Sequence, residues 1–205
     1  MTTKRLIRIS YFTMLTIIGG LLKIPVGEVS FTLQTLFVIS AGMFLGAKDG
    51  AAAQLVYMII GLIGIPVFTQ GGGIYYIFKP SFGYILAFPL GAFLTGFLIQ
   101  RSKTIRGIKL FLFALVGLVS IYIIGMAYQV MILVLVNGLS FAAACATLVS
   151  ILIYFAVDVV TVYVLSLIFP KINTLIGLQS TMQKPRQLNT ELKTDPQNFT
   201  ENDRL

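Results

Sequence analysis

Asp158 stands in the run ILIYFAVDVVTVYVLSLIF, and no other charged residue lies between Lys109 and Lys171. Placing a carboxylate within a membrane costs at least ~2.5 kcal/mol, so this position alone makes it a functional candidate. On a helix, Tyr154, Asp158 and Thr161 share a face, which sets one acceptor between two hydroxyls. Three chemistries suit that arrangement. The carboxylate could accept hydrogen bonds from a ligand, relay a proton in a coupled carrier, or hydrogen-bond a neighbouring helix.

A second concentration of unusual residues is FTQGGGIYYIFKPSFGY, Phe68 to Tyr84. Gly71, Gly72 and Gly73 permit positive φ or a close approach of backbone to a ligand. Tyr75, Tyr76 and Tyr84 offer flat apolar faces with a hydroxyl, a pattern shared by ligand pockets and by the aromatic belt of a membrane surface. Lys79 suits an anionic ligand and equally marks the membrane surface. Gln70, Gly72, Gly73, Lys79 and Tyr84 are therefore candidate binding residues. Gln34 joins them, because it falls near the outer end of an apolar run, where an amide can face a pocket. Gln54 reads instead as glue between helices.

The elements that must position these residues are membrane helices. Of the 205 residues, 57% are hydrophobic and 11% charged, against about 25% charged in soluble domains. The mean hydropathy is +0.93. Apolar runs long enough to cross a hydrocarbon core of about 30 Å occur at Leu6–Ile24, Phe31–Ala47, Ala51–Phe68, Phe82–Ile99, Ile108–Val136 and Ser140–Pro170. None alternates like a barrel strand. The chain is thus expected to be an all-α membrane protein with six transmembrane helices. The fifth is long enough to be tilted or extended, and the sixth is expected to open on a short broken piece.

With the N-terminus inside, thirteen Lys and Arg residues face inward and two, Lys23 and Lys79, face outward. That bias predicts cytoplasmic N- and C-termini. MTTKRLIR before an apolar run resembles a signal peptide, but no small-x-small cleavage site follows, so an uncleaved helix is expected. Residues 1–175 form the six-helix domain in this reading. Residues 183–205 are too polar to bury a core and are expected to be a disordered cytoplasmic tail.

The composition excludes several classes. There is no histidine and a single cysteine, Cys145, so a metal site, a His-based triad and an internal disulfide are not expected. No cofactor is implied. No GxxxxGK[ST] loop is present, so the chain hydrolyses no ATP itself. The net charge of +8 is scattered over segment ends, which argues against a nucleic-acid partner. No nucleophile–base pair suggests an enzyme. Four-residue small-residue steps at Thr16–Gly20, Gly42–Gly46, Ala87–Gly91 and Ala92–Gly96 predict close helix packing, and one of them is a candidate docking face for another membrane subunit.

FTLQTLFVISAGMFLGA (Phe31–Ala47), LVYMIIGLIGIPVF (Leu55–Phe68), the glycine loop and KPSFGYILAF together resemble the BioY family. These proteins are the substrate-binding (S) components of energy-coupling-factor (ECF) biotin importers. The likeness is dense from Pro25 to Gly96, continues to Ile172 and leaves out the tail. It implies a six-helix S-component fold in a bacterial plasma membrane. It further implies an outward pocket roofed by the loops after the first and third helices, with biotin as ligand. A transmembrane scaffold subunit carrying two ATPases would be the partner. A related carboxylated ligand such as lipoate or dethiobiotin, a proton-coupled carrier and a structural membrane protein are the alternatives.

In the sixth helix the family's Pro-Gly-Asp-x-x-Lys pattern corresponds to Ala156, Val157, Asp158, Val159, Val160 and Thr161, so Asp158 is kept and Thr161 replaces a lysine. Lys79 stands where the family usually has glycine and could restore that charge. Tyr128 stands where the family often has tryptophan. By resemblance, Thr161 and Tyr128 join the candidate binding residues. The family's Ala-x-x-x-Ala docking step is approximated by Thr16–Gly20.

Overall fold

The structure is a computed structural model, and it describes residues 3–24, 31–102 and 107–176. The expected tail, the GEVS segment at 27–30 and most of the basic loop between Arg101 and Lys109 lie outside the described residues. The chain divides into two compact units, 1–168 and 169–205. Everything that follows concerns the first, apart from the end of the last helix.

Among the described residues, the apolar runs become α1 (Thr3–Leu21), α2 (Gln34–Leu45), α3 (Ala47–Leu62), α4 (Phe82–Arg101), α5 (Ile108–Leu135), the short α6 (Phe141–Ala146) and α7 (Leu148–Ile176). The sixth membrane segment does open on a short separate piece, α6, capped by the Ser140 side chain accepting from the Ala143 amide. Helix α5 has 28 residues, more than one perpendicular crossing requires. Among the described residues, three segments are long and apolar enough to cross a membrane by themselves: Phe82–Arg101, Ile108–Leu135 and Phe141–Ile172.

The second and third helices are shorter than expected. Helix α2 has 12 residues, about 18 Å at 1.5 Å per residue. It is followed directly by α3, with one residue, Gly46, between them at φ 81°. That left-handed backbone is open to glycine at little cost and lets the chain reverse without a loop. Before α2, residues Lys23–Ile24 (β1) and Phe31–Thr32 (β2) form a two-residue antiparallel ribbon with Lys23 opposite Thr32. After α3, the stretch expected to continue as helix to Phe68 leaves it at Leu62, with Pro66 four residues beyond.

Helix α4 is central and packs on α2, α3 and α5. Apolar side chains gain nothing from packing inward when the solvent is lipid, so close backbone contact decides which faces meet. A Cβ on Gly42 would strike the Ala92 carbonyl, and one on Gly96 would strike the backbone of Gly46 and Ala47. Helix α1 shows the same logic. It buries Ile9, Thr13, Thr16, Gly19 and Gly20 and exposes Ile7, Tyr11, Met14, Ile18 and Leu21.

This corrects the docking expectation for Thr16–Gly20. Thr16 is fully buried, and a Cβ on Gly20 would press on the Gln34 side chain 2.6 Å away. The step serves the internal seam of α1 with α2 and α3, so no second subunit can reach it in this conformation.

Candidate binding cavity

The glycine loop folds on itself and on the end of α3. Phe68 and Gly71 exchange backbone hydrogen bonds of 2.9 and 3.2 Å, and the Gly73 amide donates to the Gly61 carbonyl over 2.7 Å. Gly71 and Gly73 take φ of 112° and 103°. Gly72 lies so close to the Ile65 carbonyl that a Cβ would collide with it. The three glycines thus answer to the loop's own backbone. A short 3-10 helix, Ile74–Phe78, follows. Its Tyr76 points inward and shares hydrogen bonds with the Thr69 hydroxyl (2.9 Å) and the Ser81 hydroxyl (3.2 Å), whereas Tyr75 is 81% exposed.

Below this loop is a partly open cavity lined by both polar and apolar side chains. Thr32, Gln34 and Thr35 line it from β2 and α2. Thr69 and Ser81 come from the loop and the start of α4, and Tyr84, Ile85 and Phe88 from α4 itself. Tyr122 comes from α5, and Ile151, Tyr154 and Asp158 come from α7. The wall is apolar on the α4 side and rich in hydroxyls elsewhere.

Asp158 is 4% exposed. Its Oδ2 accepts a 2.8 Å hydrogen bond from the Tyr122 hydroxyl, and Thr35 faces the same carboxylate from α2. The Tyr122 ring is fixed edge-on between Tyr84, at 5.9 Å, and Phe155, at 5.0 Å. Tyr84 in turn donates to Gln129 Oε1 over 3.2 Å, and Gln129 Nε2 donates to the Thr147 hydroxyl over 3.0 Å. One polar chain therefore joins α4, α5 and the junction of α6 with α7. A second chain anchors Gln34: its Nε2 donates to the Tyr57 hydroxyl (2.6 Å) and the Thr16 carbonyl (3.4 Å). Gln54, bonded to Thr16 Oγ1 at 3.2 Å, acts between helices as expected.

Of the sequence candidates, Gln34, Tyr84 and Asp158 meet on this cavity. The others are not among its lining residues. Gln70 and Lys79 are exposed on the loop, and Gly72 and Gly73 belong to its backbone. Tyr128 donates to the Ile77 carbonyl over 2.5 Å and packs on Phe82 at 6.0 Å, bracing the 3-10 segment from α5. Thr161 does not flank the carboxylate. Its hydroxyl bonds the Val157 and Asp158 carbonyls of its own helix, at 3.1 and 2.9 Å. The reason is angular: four residues advance about 40° around a helix, whereas three fall back about 60°. The buried line consequently runs Tyr154, Asp158, Val162.

Sequence reasoning missed Tyr122, Thr35, Thr32, Thr69 and Ser81 as cavity residues. A signal for Tyr122 existed, since Leu118, Tyr122, Gly125 and Gln129 repeat at helical spacing, and all four are buried.

A family model described as the BioY family matches residues 1–177. The chain belongs to the BioY family. Among curated BioY relatives, a "Probable biotin transporter BioY" of Lysinibacillus sphaericus is 43% identical over 127 residues, which are 62% of this chain and 65% of that protein. A protein of the same name from Pyrococcus horikoshii is 42% identical over 126 residues, covering 61% of this chain and 74% of its own length. The BioY fold is also matched in three dimensions. A solved S-component for biotin from an ECF-type ABC transporter superposes with a TM-score of 0.65 at 25% identity, covering 85% of this chain and 95% of the other. These relatives are named as transporters, not as enzymes. The chain is a multi-pass membrane protein with the S-component fold.

Proposed function

We propose that this BioY chain is the substrate-binding subunit of an ECF-type importer. In this reading it takes biotin from the outer side of a bacterial plasma membrane into the cavity beneath the glycine loop. It then delivers the vitamin inward with a separate scaffold subunit and two ATPases. The observation that carries the reading is the cavity itself: a buried carboxylate, held by Tyr122 and surrounded by hydroxyls, in a chain whose relatives are named biotin transporters.

The chemistry fits. A ureido ring presents two N–H donors and a carbonyl acceptor. Asp158 can accept from the donors, and the hydroxyls of Thr35 and Tyr154 can serve either partner. The apolar wall of Ile85 and Phe88 suits the thioether ring and aliphatic chain. Charge placement supports the orientation. Arg5 pairs with Asp49 at the start of α1, whereas Lys23 lies at its far end beside the cavity loop. The positive-inside rule puts the first end in the cytoplasm and the cavity outside.

The test is calorimetric titration of biotin into the purified chain in detergent, with lipoate and dethiobiotin in parallel. One-to-one biotin binding without any ATPase or gradient is the expected result. Absence of binding to all three compounds overturns the reading. A response to lipoate alone keeps the subunit role and changes the ligand.

A further inference from the structure

We propose that Lys23 receives the carboxylate of the bound ligand, so that an anionic tail lies at the loop side of the cavity and the donor-bearing ring lies at Asp158. This rests on the reading of the chain as a biotin-binding subunit.

The cavity needs a cation that its walls lack. Among its lining residues the single charged group is Asp158, an acid. A carboxylate drawn into such a space would lose hydration and meet a like charge, which disfavours it strongly unless a positive partner is close. Lys23 is the described lysine that is tied to the cavity wall, and it is tied twice. Its Nζ donates to the Thr69 carbonyl, and its backbone pairs across the β1–β2 ribbon with Thr32. Thr69 and Thr32 both line the cavity, and they come from different segments of the chain.

The remaining valences fit the role. An ammonium has three donors, and the Thr69 carbonyl engages one. The Lys23 side chain is exposed, so the others are open to a carboxylate entering from the loop side. The Thr69, Tyr76 and Ser81 hydroxyls form a connected row beside it, which can share the load of an anion. Other described cations are worse placed. Lys79, exposed like Lys23, makes no side-chain bond to the cavity wall among the described residues, and Arg5 is held by Asp49. The separation of the two ends also gives the ligand one orientation: a hydrogen-bond acceptor for the ring's N–H groups at Asp158 of α7, a cation at the ribbon.

The experiment compares biotin with its neutral carboxamide, titrated into the full-length chain in detergent, for the wild type, Lys23→Gln and Lys23→Arg. A charge-assisted contact predicts that the wild type prefers biotin by roughly ten- to a hundredfold. Lys23→Gln should bring that ratio close to one while carboxamide affinity stays within about threefold. Lys23→Arg should keep most of the preference. Melting curves of the three proteins establish that each is folded.

A Lys23→Gln protein that still prefers biotin overturns the assignment. So does one that loses both ligands equally, which would make Lys23 a latch for the loop and nothing more. A wild type that binds the two compounds equally overturns it too. If the wild type binds neither compound, the failure belongs to the proposed function, and the role of Lys23 falls with it.

Discussion

The Tyr122 hydroxyl donates to Asp158 Oδ2 over 2.8 Å, so the carboxylate in α7 is held by a group from α5 and presents its remaining acceptor capacity to the cavity. The pair therefore has two separable roles, one between helices and one toward a ligand. Tyr122→Phe removes a donor from a buried carboxylate and is predicted to cost stability, about 1.5–3 kcal/mol for a hydrogen bond to a charged group. Asp158→Asn keeps the shape and a hydrogen-bonding amide but exchanges one acceptor for a donor. It is predicted to weaken biotin binding by about tenfold or more, with a smaller change in melting temperature. Parallel titrations and melts check this. Loss of stability in Asp158→Asn without loss of binding would leave the carboxylate a purely structural role.

Asp158 was legible in the sequence because an acid in an apolar run is expensive wherever it lies, and cost does not depend on tertiary contacts. Tyr122 was not, since a tyrosine in a membrane helix is common and its partner is 36 residues away in the chain. The same distinction separates Lys79 from Lys23. Lys79 stood out beside the glycines, whereas Lys23 reaches Thr69 across 46 residues, a contact that spacing along one helix cannot reveal. The six spans followed from hydropathy, but the abrupt end of α2 did not, because it depends on the φ of Gly46. The Thr16–Gly20 step was visible as a pattern of small residues, yet only packing tells which side of α1 it occupies.

That seam gives a second prediction. Thr16→Val deletes the hydroxyl that accepts from Gln54 Nε2, and the Gln54 Oε1 has no partner among the described residues. A second orphaned group on a buried amide should lower stability by about 1–3 kcal/mol. The effect belongs in the melting temperature of the isolated chain. A variant that melts like the wild type but fails to co-purify with a scaffold subunit would return Thr16 to a docking role.

The glycine loop gives a third. Gly72→Val places a side chain against the Ile65 and Gly61 carbonyls, and Gly73→Ala forces an L-residue to φ 103°. Strain of this kind costs of order 1–3 kcal/mol per site. Both variants should fold, because the backbone hydrogen bonds within the helices lie outside the strained loop sites. Both should release ligand faster, by roughly five- to a hundredfold if the strain is relieved by opening. Stopped-flow dissociation of biotin measures it directly. Unchanged release rates would mean that the loop does not close the cavity.

The orientation in the membrane gives the last prediction. Lys79 is exposed on the loop side, and Lys48 is exposed at the α2–α3 turn, beside the Asp49 that pairs with Arg5. The positive-inside bias assigns these two lysines to opposite faces. In a Cys145→Ser background, Lys79→Cys should react with a membrane-impermeant maleimide on intact cells, and Lys48→Cys should react only after permeabilisation. Neither position lines the cavity, so biotin uptake by both variants should persist and show that the labelled protein is correctly inserted. Labelling of Lys48→Cys from outside would invert the topology. The cavity would then open to the cytoplasm, and capture of a ligand from outside through this conformation would be untenable.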